Sequence, residues 1–163
     1  MNHAMLQRIV EEVAARLRRR ALSTATLSVA QLGEADIRSL LCQHASLRIV
    51  QVDLPLLEQL AGQRALAAAG CALHEAMAWG VRVQLTLLPT LLPALAVKKL
   101  ARLPLTFSDP LGQPVRLHAA SVLTYADVAR FSGGYLVLRR RPIITALARE
   151  AAVARHVQLI TQE

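Results

Sequence analysis

The stretch VRVQLTL, residues 81–87, decides the fold class. Val81, Val83, Leu85 and Leu87 alternate with Arg82, Gln84 and Thr86, the two-residue period of a β-strand. Gly80 stops the Ala-rich stretch 63–79 before it, which reads as a helix. Further upstream, SLRIVQV (46–52) is a second strand through Leu47, Ile49 and Val52. Asp53 before Leu54-Pro55 is a helix cap. A strand at 26–29 and a helix at 34–43 precede them. Downstream, 91–103 is expected to be a short helix disturbed by Pro93. Strands at 105–107 and 115–118 flank the turn Asp109-Pro110-Leu111-Gly112. Thr124 caps a helix through Arg130, with Asp127 in the capping-box position where Glu or Gln is usual. Gly133-Gly134 ends it, and 135–138 (strand), 142–155 (helix) and 157–160 (strand) complete the chain.

Strands alternating with helices predict an α/β domain: a central, mostly parallel sheet flanked by helices and covered on both faces. The chain has 163 residues, enough for one such domain. A hydrophobic fraction of 54% and a mean hydropathy of +0.37 exclude a disordered chain. The apolar run 85–97 is broken by Pro89 and Pro93, so no membrane span is expected. Glu11, Glu12 and the arginines from Arg16 to Arg20 stand where a signal peptide would be apolar. The expected location is the cytoplasm or something assembled there. Cys42 and Cys71, the only cysteines, are expected to be reduced thiols packed as small hydrophobes.

The net charge of +8 raises nucleic acid as a partner. Two observations oppose it. The arginines are spread along the chain, clustering only at Arg16–Arg20 and Arg139–Arg141, and the aromatic fraction of 3% is too small for a base-stacking platform. No nucleic-acid or membrane partner is expected.

Residues 5–17 form the clearest functional lead. Leu6, Ile9, Val10, Val13 and Leu17 fall on one arc of about 100° at helical spacing. Arg8, Glu11, Glu12, Arg18 and Arg19 lie outside it, and Asn2 is a cap. Arg18, Arg19 and Arg20 end the helix, where cations suit its dipole. The expected organisation is an amphipathic helix over 1–21 and an α/β domain over 22–163, with a joint near 22–26. The stripe either packs on the domain or docks in a groove on another protein, with Arg16, Arg18, Arg19 and Arg20 meeting acidic residues there.

Sites for chemistry are harder to find. Seven glycines make no GxGxxG or Walker pattern, and no GxSxG elbow is present. Cys42 with His44, and Cys71 with His74, are half-sites that would make a Cys2His2 set only if the fold joined them. Ser121, His118 and Asp127 are close in sequence, which does not establish a triad. The expectation is no catalytic residue, no cofactor and no metal.

Several segments carry a family resemblance: LQRIVEEVAARLRRR (6–20), STATLSV (23–29), CQHASLRIVQVDLPLLEQLA (42–61), GVRVQL (80–85), VKKLARLPL (97–105) and TALAREAAVARHVQLITQE (145–163). Together they resemble the PduM family of propanediol-utilization microcompartment assembly proteins, nearly end to end. The Ala-rich residues 61–73 add nothing. The resemblance implies a non-catalytic structural component of the bacterial microcompartment, a setting of cobalamin-dependent 1,2-propanediol degradation. It implies a link between the encapsulated core enzymes and the shell, with a trimeric-type shell protein as contact. It carries no catalytic residues. The first helix is similar in kind to the short helices that target cargo to such shells, but longer and more charged at its end. The alternative is a small-molecule-binding or catalytic α/β domain acting within the microcompartment, using the crevice at the strand ends.

Overall fold

The computed structural model describes residues 2–163. Helix α1 spans His3–Ala21, capped by the Asn2 side chain, which accepts from the Ala4 amide. Strand β1 (Thr24–Ser28) leads directly into α2 (Val29–Glu34). Ser28 and Gln31 make a reciprocal capping box there, a signal the sequence reading missed. The expected strand 26–29 and helix 34–43 therefore divide differently: α2 ends at Glu34, and α3 (Ile37–Gln43) follows a break. Strand β2 is Ser46–Val50. The Asp53 carboxylate caps α4 (Leu54–Leu60) by accepting from the Leu56 amide at 3.0 Å.

Helix α5 (Ala68–Ala78) begins later than expected. Gly62 takes a left-handed φ of 71°, and the Gln59 carboxamide captures the Ala67 amide at 2.9 Å, so the intervening residues turn. Strand β3 is Arg82–Thr86. A 3-10 helix (Pro89–Ala94) and the short α6 (Val97–Leu100) replace the expected helix 91–103, because Pro93 withholds an amide from any longer α-helix. Then come β4 (Leu105–Ser108), β5 (Pro114–His118), β6 (Val122–Leu123), α7 (Tyr125–Ala129), β7 (Tyr135–Leu138), β8 (Ile143–Ile144), α8 (Ala146–Ala154) and β9 (Gln158–Thr161). The pair β6–β8 was not expected, being too short to show a period. β8 takes the first residues of the predicted helix 142–155, and Thr145 caps α8 instead.

Seven strands form one sheet in the order β1-β2-β3-β4-β5-β7-β9. Every neighbouring pair is parallel except β4–β5. That pair is a hairpin closed by Asp109, only 4% exposed. One carboxylate oxygen accepts from the Leu111 amide at 2.9 Å and the Gln113 amide at 2.7 Å. Gly112 supplies the left-handed residue, with φ 84°.

The hairpin reverses strand direction while the sheet keeps growing the same way. A right-handed crossover then places its helix on the opposite face. Two separate apolar clusters agree. Leu47, Ile49, Val83, Leu85 and Phe107 pack on one face with Leu32, Leu41, Leu73, Leu92 and Leu100 from α2, α3, α5, the 3-10 helix and α6. Leu136 and Leu138 point to the other face, against Val128 of α7 and Ala148, Ala151 and Ala152 of α8. The expectation of a sheet covered on both faces therefore holds only over β5, β7 and β9. Over β1–β4, the second face carries Thr24, Thr26, Arg48, Arg82, Gln84 and Thr106 and, among the described residues, has no helix on it.

Asp109→Ala removes the acceptor for two loop amides in a buried place, so it should destabilise the fold by about 2–4 kcal/mol. Urea denaturation would show this as a lower midpoint at unchanged slope. A loss below about 0.5 kcal/mol would mean the hairpin closes without the carboxylate.

Candidate functional site

Helix α1 has 19 residues and is about 28 Å long. None of its residues is buried. Leu6, Ile9, Val10, Val13 and Leu17, the stripe singled out in the sequence, are each 44–59% exposed, and Met5 extends the stripe at 58%. The helix is tied to the body at its C-terminal end. Arg20 Nε donates to the Leu41 carbonyl at 2.9 Å, and the Ala45 amide donates to the Arg20 carbonyl at 3.2 Å. Next to this anchor, the Ser23 hydroxyl hydrogen-bonds His44 Nδ1. Of the two placements open to the stripe, the structure shows the projecting one.

The basic end is more committed than its composition suggests. Arg16 pairs with Glu12 at 2.9 Å, and Arg19 lies 3.9 Å from the same carboxylate. Arg20 is spent on Leu41. Among the described residues, Arg18 alone of these four makes no side-chain hydrogen bond or ion pair within the chain. The Glu12 pairs are exposed and contribute little to stability, so Arg16 and Arg19 can be drawn to another acid at small cost.

A second feature lies on the bare face of the sheet. A cleft of about 580 Å³ opens at the carboxyl ends of β1–β4. Its floor is Thr26, Arg48, Val50, Gln84, Thr86 and Ser108, and the Asp109–Gly112 turn forms one wall. The register places Thr26, Arg48, Gln84 and Thr106 in one row across four strands. Gln84 Nε2 donates to the Ser108 hydroxyl at 2.9 Å, which fixes the carboxamide. The sequence points to a crevice at the strand ends but not to these residues, which the register brings together from strands far apart in the chain.

The remaining sequence candidates do not come together. His118 Nε2 lies 2.9 Å from the Val122 carbonyl, so its proton is committed to the backbone. No hydrogen bond joins Ser121 to His118 among the described residues. Asp127 belongs to the Thr124 cap, accepting from the Thr124 amide at 2.9 Å and its hydroxyl at 2.7 Å. These bonds, the amide's first, hold the Asp127 carboxyl below the ordinary carboxylate range; burial opposes them, and His118 and Arg130 add small attractions. Cys42 and Cys71 are both exposed, which corrects the expectation that they pack inside. Each sits on the outer side of its helix, where the core is already filled by Leu41 and by Ala72 and Leu73. Among the described residues, no three His, Cys, Asp or Glu side chains are grouped as a metal site, and no helix is long and apolar enough to cross a membrane.

An α/β body that leaves a long amphipathic helix uncovered has the build of a protein-interaction module. Comparison with known proteins agrees with that class. The PDU_like family model, described by propanediol utilisation, matches residues 8–158. The chain is 60% identical to the bacterial microcompartment assembly protein PduM of Salmonella typhimurium and 56% identical to that of Citrobacter freundii. Both alignments cover all of this chain and all of the relative. No solved structure matches. The chain belongs to the PduM family.

A depressed carboxyl stabilises the fold above its unfolded pKa, and that gain disappears as pH falls through the folded value. Asp127→Asn should therefore cost about 0.5–1 kcal/mol at pH 7, solvent screening keeping it small. The difference from the parent should shrink below about pH 4. Denaturation curves across pH 2–7 test this, and a gap that stays constant into acid would remove the cap's electrostatic role.

Proposed function

We propose that this chain is a non-catalytic assembly protein of the bacterial microcompartment, working within the cytoplasm, and that α1 is its docking element. The curated relatives bear the name of assembly proteins, and identity over the full length brings that role to this chain. The observation that carries the mechanism is the exposed stripe of Leu6, Ile9, Val10, Val13 and Leu17 on a helix its own body leaves uncovered.

A stripe of this kind seats in an apolar groove. Covering the exposed half of five aliphatic side chains contributes about 4–7 kcal/mol gross, before ordering costs. Arg18 guides the approach, and Arg16 and Arg19 join it by exchanging Glu12 for an acid on the partner. The proposed division is residues 1–21 as docking helix and 22–163 as body. The body then holds a second component, so that the chain links encapsulated core enzymes to the shell, with a trimeric-type shell protein as the helix's partner. No cofactor, metal, nucleic acid or membrane enters this reading.

The test removes the stripe without touching the body. Ile9→Ser with Val13→Ser, or deletion of residues 1–19, leaves Arg20 on Leu41. Each variant should keep the parent's thermal midpoint within about 3 °C, because the residues removed bury nothing. Each should lose at least about tenfold in co-purification with microcompartments, the equivalent of 1.4 kcal/mol. Variants that remain with microcompartments at the parent level would overturn the docking role. Variants that unfold would show α1 to be part of the core.

A further inference from the structure

We propose that the cleft at the carboxyl ends of β1–β4 binds a small organic carboxylate with a short aliphatic body. The site is independent of α1 and of the assembly reading.

Its position follows from the topology. In open α/β sheets, ligands settle outside the carboxyl ends of the parallel strands. Here β1–β4 are parallel with their crossovers on one face only, so the other face lies open toward their carboxyl ends, up to the β4–β5 hairpin. The cleft opens beside it. A volume of about 580 Å³ lies within the range of small-molecule sites.

The lining has two ends of different chemistry. At one end Arg48 projects from the bare face, exposed and, among the described residues, with no ion-pair partner. Thr26 and Gln84 flank it in the same cross-strand row. Gln84 Nε2 keeps one N–H beyond the one it gives Ser108, and a guanidinium between that donor and a hydroxyl is suited to a carboxylate, which it grips with two parallel N–H bonds. At the other end Val50, Val52, Leu88 and Pro110 offer apolar surface. The one acid in the lining, Asp109, turns one oxygen onto the Leu111 and Gln113 amides. It lies three residues beyond Thr106, whose row contains Arg48, and so stands toward the hairpin rather than in the guanidinium's row. An anion without an aliphatic body would meet only half of this lining.

Titration of the 15N-labelled full chain with straight-chain carboxylates of two to six carbons tests the site. Amide shifts should centre on Arg48, Gln84, Thr86 and Ser108 and saturate below about 50 mM for the longer acids. Affinity should rise about fourfold for each added methylene until the apolar end is full. Orthophosphate should bind no better than acetate. Arg48→Gln, at an exposed position, should remove saturable binding while the rest of the spectrum stays unchanged. Leu88→Ala should flatten the chain-length dependence without moving the acetate shifts. Shifts that survive Arg48→Gln, or affinity that does not change with chain length, would overturn the proposal, as would no saturable shift at all. None of these results touches microcompartment recruitment, so the two readings succeed or fail separately.

Discussion

The Asp109 carboxylate gathers the amides of Leu111 and Gln113 into a tight hairpin, and the rest of the architecture depends on that reversal. Before it, four parallel strands have their crossovers on one face. After it, the strands run the other way, and the handedness of crossovers carries α7 and α8 to the other face. One buried acid thus separates two apolar clusters and leaves half of a parallel sheet bare. Parallel strands are normally covered on both faces, so the bare half needs polar side chains to face water. Thr24, Thr26, Arg48, Arg82, Gln84 and Thr106 supply them.

The two surfaces of the molecule divide by chemistry. The stripe on α1 is apolar and projects from the body. The bare sheet face is mainly polar across its Thr26–Arg48–Gln84–Thr106 row, with apolar surface only near the hairpin. The stripe and this face are therefore separate surfaces, and none of the helix's residues is buried. The anchor at Arg20 and Leu41 holds only the last turn, where hydrogen bonds fix the helix's exit without covering its apolar side.

Element types were legible because local rules acted alone. Asp53, Thr124 with Asp127, and the Asp109–Gly112 turn each worked as their residue types require. Boundaries failed where a local bond competed, as at Ser28 with Gln31 and at Gln59 with the Ala67 amide. The bare face also had a signal. Arg82, Gln84 and Thr86 alternate with buried Val83 and Leu85, which is the pattern of a strand with one wet face. The overall βα order points instead to two covered faces, which holds only over β5, β7 and β9.

By itself the sequence determined the period of the longer elements, the caps at Asn2, Asp53 and Thr124, the apolar stripe at Leu6, Ile9, Val10, Val13 and Leu17, and the family to which the chain belongs. Those properties depend on residues within a few positions of one another or on direct similarity. The tertiary structure alone decided that the stripe stays uncovered, that Cys42 and Cys71 face outward, and that Arg48 and Gln84 share a cleft with the Asp109 turn. Such facts depend on which face each crossover takes, and a crossover's face is set by strand direction across the whole sheet rather than by any neighbour in the chain.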